Sequence, residues 1–261
     1  MKIFIDCSDK RLFFVKSKLE KLKFNVQILD FLRLDRISSE DIVILSPAYK
    51  WKLEDTKILP NNATIICGAI SEEVRIIFNK KQIKHFNLME DETFVLKNAN
   101  LTAEGMLADL IFYTKKSIYD CNILILGGGR VAKAVALTLF KLGINFGISM
   151  RNDNKLLESQ LITNNIVSWQ NYKEKLFEYD VVINTIPSKL FNEEDLNKFK
   201  TNSLVFELAS KQCLEGLSFK NFTYVLCPAL PAKYCPEAAG ELVFKYVLKL
   251  LGENKWLLVL E

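Results

Sequence analysis

The clearest chemical signal in this sequence is a run of three glycines. Gly127-Gly128-Gly129-Arg130-Val131-Ala132 reads G-x-G-x-x-A, with an apolar run at 122–126 before it and an amphipathic stretch from 130 to 142 after it. Between a strand and a helix, Gly127 permits a tight turn, Gly129 lets the backbone approach a pyrophosphate, and Ala132 permits close helix–strand packing. The N–H groups at the helix start, around Arg130 and Val131, would then bind the anion. The next apolar run, 145–150, ends at Arg151-Asn152. An NAD site usually has an acid here to hold the ribose hydroxyls, whereas an arginine can accommodate a 2′-phosphate. NADP is therefore the expected cofactor and NAD the alternative, in which Arg151 would stack on the adenine. Asp153 reads as a turn or helix-start residue.

Two more strand-like runs, 180–184 and 203–208, lead into Thr185-Ile186-Pro187-Ser188 and Ala209-Ser210-Lys211. The carboxyl ends of strands in a doubly wound sheet face the ligand crevice, so these loops should flank the nicotinamide and its phosphates. Other chemistries find little support. The six cysteines are scattered with no C-x-x-C spacing, and His85 is the only histidine. A zinc site and a histidine-based triad are therefore not expected, and His85 reads as structural.

The elements that must hold these loops follow from periodicity. In the first third, strands are expected at 2–6, 26–29, 42–45 and 64–67, and helices at 10–22 and 71–79, with Ser71 as an N-cap. Continuous β-branched runs separated by helical patterns imply a parallel sheet buried on both faces. A helix over 102–117 should pass from one domain to the next. A last helix should begin at Pro236 and run to Leu251, with Gly252 past its end. The expected fold class is α/β: two doubly wound parallel-sheet domains, flavodoxin- and Rossmann-like, around a cleft. Residues 1–100 would form the substrate domain, and 101–235 the NAD(P)-binding domain with the interdomain helix. Residues 236–261 would pack back on the first domain.

The 261 residues carry a net charge of +4, from 35 basic and 31 acidic groups. Residues 1–97 hold +3 of it and the rest +1, too even for a nucleic-acid footprint. Lys16, Lys18, Lys21 and Lys23 read as the wet side of one helix. No apolar run approaches the roughly 18 residues of a membrane span, and the N-terminus lacks a signal-peptide pattern. A cytosolic location is expected.

At these residues the sequence resembles the dehydrogenase subunit of dipicolinate synthase from spore-forming bacteria, the A component of that enzyme, over roughly 94–251. The resemblance rests on Leu101-Thr102-Ala103-Glu104-Gly105, the 127–132 turn, Ile183-Asn184-Thr185-Ile186-Pro187-Ser188, Glu207-Leu208-Ala209-Ser210, and the Pro-rich stretch 228–236 leading to Ala239-Gly240. More distantly the layout is similar to the D-2-hydroxyacid dehydrogenases. Where the family usually has Pro-Gly twice near the last strand, this chain has Pro228-Ala229 and Pro231-Ala232. The resemblance implies an NAD(P)-dependent dehydrogenase of the lysine-pathway branch that serves sporulation. It would oxidise a cyclic dihydro- or tetrahydrodipicolinate to dipicolinate, with NADP as hydride acceptor.

Such a reaction needs groups to neutralise two carboxylates and to accept a proton. The candidates are Glu104 and Lys233 for catalysis, and Ser46, Gly68, Thr102 and Ser210 for substrate binding. Thr102 and Glu104 are expected to begin the interdomain helix, where Glu104 could accept a proton or complement the helix dipole. Lys233 is expected in a loop before the last helix, paired with a substrate carboxylate or simply solvated. Ser46 and Gly68 could supply hydroxyl and backbone donors or be turn residues. The resemblance also implies a flavoprotein-like partner, the B component of dipicolinate synthase, and hence an oligomer. The alternatives are an NAD(P)-dependent reductase of another small hydroxy- or oxo-acid, and a nucleotide-binding regulatory subunit without chemistry of its own.

Overall fold

Short β-branched runs closed by turn residues become the strands of two parallel sheets. The computed structural model describes residues 1–31, 36–163 and 165–253; the rest of the expected C-terminal segment, 254–261, lies outside the described residues. The first sheet contains β1 (Ile3–Ile5), β2 (Val26–Ile28), β3 (Ile42–Ile44), β4 (Thr64–Cys67) and β5 (Lys84–Asn87), in the order β2-β1-β3-β4-β5. Every pairing is parallel. β1, β3 and β4 are buried along their whole length, so they read as unbroken apolar runs. Helix α1 (Lys10–Lys21) starts where the Asp9 carboxylate accepts the Arg11 N–H, and α3 (Glu72–Lys80) where the Ser71 hydroxyl accepts the Val74 N–H. Between them lies the six-residue α2 (Leu53–Ile58). α2 is too short to show a period in the sequence, and β5 is a half-exposed edge strand whose mixed polar and apolar residues give no clear pattern.

The next helix corrects an expectation at both ends. α4 spans Glu92–Tyr113 rather than 102–117. The Asp91 carboxylate accepts the Phe94 N–H at 2.8 Å and starts the helix ten residues before Thr102. The apolar residues of α4 run round the helix instead of forming one stripe, which hides its first turns from a periodicity argument. Thr102 and Glu104 therefore lie in the helix interior, and Glu104 is too far from the positive end to complement the dipole.

The second sheet contains β6 (Ile123–Leu126), β7 (Phe146–Ser149), β8 (Asn165–Ile166), β9 (Val181–Asn184), β10 (Leu204–Glu207) and β11 (Thr223–Leu226). Its order is β11-β10-β9-β6-β7-β8, all parallel. Helices α5 (Arg130–Lys141), α6 (Asp153–Glu158) and α7 (Glu193–Leu196) lie in its crossovers. The order reverses between β6 and β9, so successive connections leave these two strands in opposite directions and create a switch point at their carboxyl ends.

A short helix and a long one then close the described residues. α8 (Leu230–Tyr234) follows Ala229, which holds a left-handed φ of 50°. Lys233 is therefore on a helical turn, not in a loop as expected, because Pro231 is preorganised for helix starts and Cys235 donates back to its carbonyl at 3.0 Å. α9 (Pro236–Glu253) packs on α1, with Val243, Val247 and Leu251 in one core with Leu12, Val15 and Leu19. Gly240 permits this approach: a Cβ there would lie 2.6 Å from the Arg11 carbonyl oxygen and 3.0 Å from Phe14 Cβ. The helix continues through Gly252, which its residue type places past the end. A glycine in the last turn costs only about 1 kcal/mol, less than the buried contacts of the preceding turn provide. Among the described residues no helix is long and apolar enough to cross a membrane. By contacts, the described residues of 1–98 with 231–253 form one compact unit, and those of 99–230 form the other.

In the second unit, two polar residues close otherwise apolar strands, and they meet. Asn184 and Glu207 are 0% and 3% exposed. One Glu207 oxygen accepts from Asn184 Nδ2 at 2.8 Å and the Ala209 N–H at 3.0 Å. The other accepts from the Cys213 N–H at 2.7 Å and the Tyr224 hydroxyl at 2.9 Å. Asn184 in turn accepts from the Ile186 N–H and donates to the Ile186 carbonyl. Burial, helped by Cys213 and Glu207, pushes the Tyr224 phenol up, so it remains a donor. Glu207→Gln would aim an amide N–H₂ at one pair of these donors, and the expected loss of stability is about 2–4 kcal/mol in denaturant unfolding. Tyr224→Phe removes a single donor and should cost only about 0.5–1.5 kcal/mol.

At the opposite strand ends, Asp180 accepts from Lys116 and Lys200, both at 2.8 Å, and from the Asn122 N–H at 2.9 Å. Burial works against its charge, but the two lysines and the backbone outweigh it and hold the carboxyl at about 2. A depressed carboxylate contributes stability above its unfolded pKa, and this is lost as pH falls through the folded value. Thermal unfolding of the parent and Asp180→Asn should differ fully above about pH 4.5 and converge near about pH 2.

Candidate functional site

The carboxyl ends of β6, β7 and β9 are packed against one another. Gly127 has φ +120°, a left-handed value that favours glycine, and a Cβ there would collide with the Thr185 hydroxyl. A Cβ at Gly128 would strike the Met150 sulfur. Thr185 is fixed in turn, because its hydroxyl and its N–H both donate to the Leu126 carbonyl, at 2.8 and 3.0 Å. Gly129 is different. Its backbone is ordinary extended chain, φ −79° and ψ −175°, and a Cβ there meets nothing within 4 Å. Among the described residues no contact requires glycine at this position. Gly129 is the N-cap of α5 and offers no capping side chain, so the helix start faces open space that a ligand can enter. Arg130 is exposed, Val131 half-buried, and Ala132 fully buried beneath them.

At the end of β7, Arg151 is exposed, and its guanidinium carbon lies 5.2 Å from the centroid of the Trp169 ring. Asn152 caps α6, its side-chain oxygen accepting the Lys155 N–H at 3.0 Å, and Asp153 is the first helical residue. Thr185 and Ile186 are half-buried, and Pro187 is exposed. Ala209 is tied to Glu207 through its N–H, and Ser210 next to it is exposed. Residues 127–132, 151–152, 185–187 and 209–210 thus gather at the carboxyl end of one sheet.

The remaining candidates lie elsewhere. In the first unit, the Ser46 hydroxyl donates to Asp9 at 2.7 Å. Burial opposes the Asp9 charge, but Arg11 and Ser46 more than offset it and lower the carboxyl's pKa. Gly68 ends β4, where a Cβ would collide with the Pro47 carbonyl, and its own carbonyl accepts from His85 Nε2 at 3.1 Å. Ser46 and Gly68 are therefore engaged in neighbouring turns. Cys67 lies 3.3 Å from His85 Nε2, but burial pushes its thiol up to about 12 and lowers the pKa of the imidazole. A neutral thiol beside a neutral ring is not an activated nucleophile. Thr102 is half-buried and Glu104 exposed on α4; Lys233 is exposed on α8, its ammonium 4.6 Å from the Tyr234 ring centroid. Among the described residues no group of three or more His, Cys, Asp or Glu could hold a metal ion.

Three residues that shape the site are not among the candidates read from the sequence: Asn184 and Glu207, which its motifs contain without a role, and Trp169. The first two carry a usable signal, since each is a polar residue at the end of a buried apolar strand. Trp169 carries none, because its partner Arg151 is brought to it by sheet order rather than by spacing.

No family model matches the chain. It is 26% identical over 223 residues to the A component of dipicolinate synthase of Bacillus subtilis, covering 83% of this chain and 71% of that relative. The crystal structure of the same component from Bacillus halodurans superposes with a TM-score of 0.79 at 21% identity, over 96% of this chain and 97% of that one. A D-isomer specific 2-hydroxyacid dehydrogenase from Lactobacillus delbrueckii, in its NAD-complexed form, matches with a TM-score of 0.57 at 13% identity, over 98% and 97% of the two chains. The fold is thus α/β with two parallel sheets, of five and six strands, and its structural neighbours include the D-2-hydroxyacid dehydrogenases. The chain is a homologue of the A component of dipicolinate synthase.

Proposed function

We propose that the chain is the dehydrogenase subunit of a dipicolinate synthase, binding NADP at the carboxyl end of the second sheet and oxidising a dihydro- or tetrahydrodipicolinate to dipicolinate. The observation that carries this reading is Gly129, a glycine at a helix start that no contact among the described residues requires and that leaves room for a pyrophosphate. When bound, the nicotinamide supplies a two-electron hydride acceptor. The chain's own residues do the rest. The start of α5 takes the pyrophosphate, Arg151 the 2′-phosphate, and Thr185–Pro187 with Ala209 flank the nicotinamide half.

From the dihydro form, one hydride and one proton leave the ring; from the hydrated tetrahydro form a water leaves as well. Aromatisation of the ring provides much of the driving force. The protein orients the ring and neutralises its two carboxylates. Lys233 is the proposed cation for one carboxylate, and Thr102 and Ser210 are the proposed hydroxyl donors. Ser46, whose hydroxyl donates to Asp9, contributes shape, and Gly68, whose carbonyl accepts from His85, is proposed to offer its backbone N–H. Glu104, exposed on α4, is the proposed proton acceptor. The homologous relative is named as one subunit of its enzyme, so a second subunit, the B component of dipicolinate synthase, is the proposed partner.

Incubation with NADP and enzymatically generated dihydrodipicolinate tests this reading through the ultraviolet absorbance of dipicolinate. Product from the chain, alone or with the partner subunit, supports it; no product in either case contradicts it. Two substitutions localise the cofactor. Gly129→Val should abolish dinucleotide binding in calorimetric titration while the thermal midpoint stays close to that of the parent, because a side chain would fill the pyrophosphate's space without touching the fold. Arg151→Ala should weaken NADP binding by about 10- to 100-fold, the worth of a charge-assisted phosphate contact, and leave NAD nearly unchanged. Equal losses for both cofactors would place Arg151 on the adenine.

A further inference from the structure

Trp169 lies just past β8, the strand beside β7, so it and Arg151 emerge from the carboxyl ends of neighbouring strands. The Arg151 guanidinium rests over the indole, its carbon 5.2 Å from the ring centroid. Among the described residues no carboxylate pairs with Arg151, so its charge is available to an anion. The indole is itself fixed. It stacks on Tyr172 at 4.6 Å and 27°, and Tyr172, only 2% exposed, meets Phe191 edge-on at 6.2 Å. Phe199 and Phe222 continue this run of rings into the core, with centroids 5.0 and 4.4 Å apart. A surface tryptophan anchored in this way presents a rigid face.

We propose that Trp169 is a positioning residue for cofactor choice: its fixed indole holds the Arg151 guanidinium flat, so that the N–H edge is presented to the 2′-phosphate of an adenosine. This rests on the dinucleotide reading above. A guanidinium is planar and its donors lie on its edge, so stacking one face leaves a bidentate fork for a phosphate free. Without the ring the long side chain must be ordered by the ligand itself, and part of the phosphate contact is lost to that ordering. The indole makes no demand on the NAD ribose, so its effect should fall on NADP alone.

The test is a calorimetric cycle with NADP and NAD on the parent, Trp169→Leu, Trp169→Phe, Arg151→Ala and the Arg151→Ala/Trp169→Leu double variant. Trp169→Leu should weaken NADP binding by about two- to fivefold and leave NAD unchanged. Trp169→Phe, which keeps a ring face, should retain most of the NADP affinity. In the Arg151→Ala background, Trp169→Leu should have no further effect on NADP. The proposal is overturned if Trp169→Leu weakens both cofactors equally, if it acts undiminished without Arg151, or if it changes nothing. A parent that binds neither dinucleotide removes the functional reading and this inference together. A parent that binds both, with variants that do not shift the ratio, removes this inference alone.

Discussion

A carboxylate with no cation partner among the described residues organises the second unit. Glu207 is buried where β10 ends, and desolvating it is costly unless both oxygens are satisfied. They are satisfied by two backbone N–H groups, an amide and a phenol, drawn from β9, the loop after β10, and β11. Each donor is thereby held in one place. Asn184 then fixes the turn at Ile186, and Thr185 beside it is locked to the Leu126 carbonyl. Because Thr185 stands where a Cβ of Gly127 would be, a network buried in the sheet leaves room only for glycine at that turn. An internal hydrogen-bond requirement thus shapes an outward-facing surface.

The three consecutive glycines separate two kinds of constraint. Gly127 has an internal reason, a left-handed φ with the Thr185 hydroxyl where its Cβ would lie, and Gly128 is crowded by the Met150 side chain. Among the described residues, none gives Gly129 an internal reason. Its space is open and its backbone is unstrained, which leaves room for a ligand at the start of α5, beside the fold's switch point.

Much of this is legible in the sequence where one physical rule acts alone. β1, β3, β4, β6 and β9 are short apolar runs because both faces of a parallel sheet are buried, and the cap at Ser71 is a single-residue signal. Legibility fails where two rules compete. The first turns of α4 lack an apolar stripe, and Gly252 reads as a stop but stays helical under the packing of the preceding turn. Lys233 reads as loop because prolines surround it, although Pro231 starts a helical turn. The pairing of Arg151 with Trp169, and of Asn184 with Glu207, depends on which strands are neighbours. Only the sheet order supplies that.

The central claim is that the surface shaped by Glu207 and left open at Gly129 is the seat of a dinucleotide. A crystal structure of the chain grown with NADP tests it most directly. The pyrophosphate should lie within hydrogen-bond distance of the backbone N–H groups at Gly129 to Val131, with the 2′-phosphate at the edge of Arg151. A pyrophosphate seated anywhere else on the chain would contradict the account.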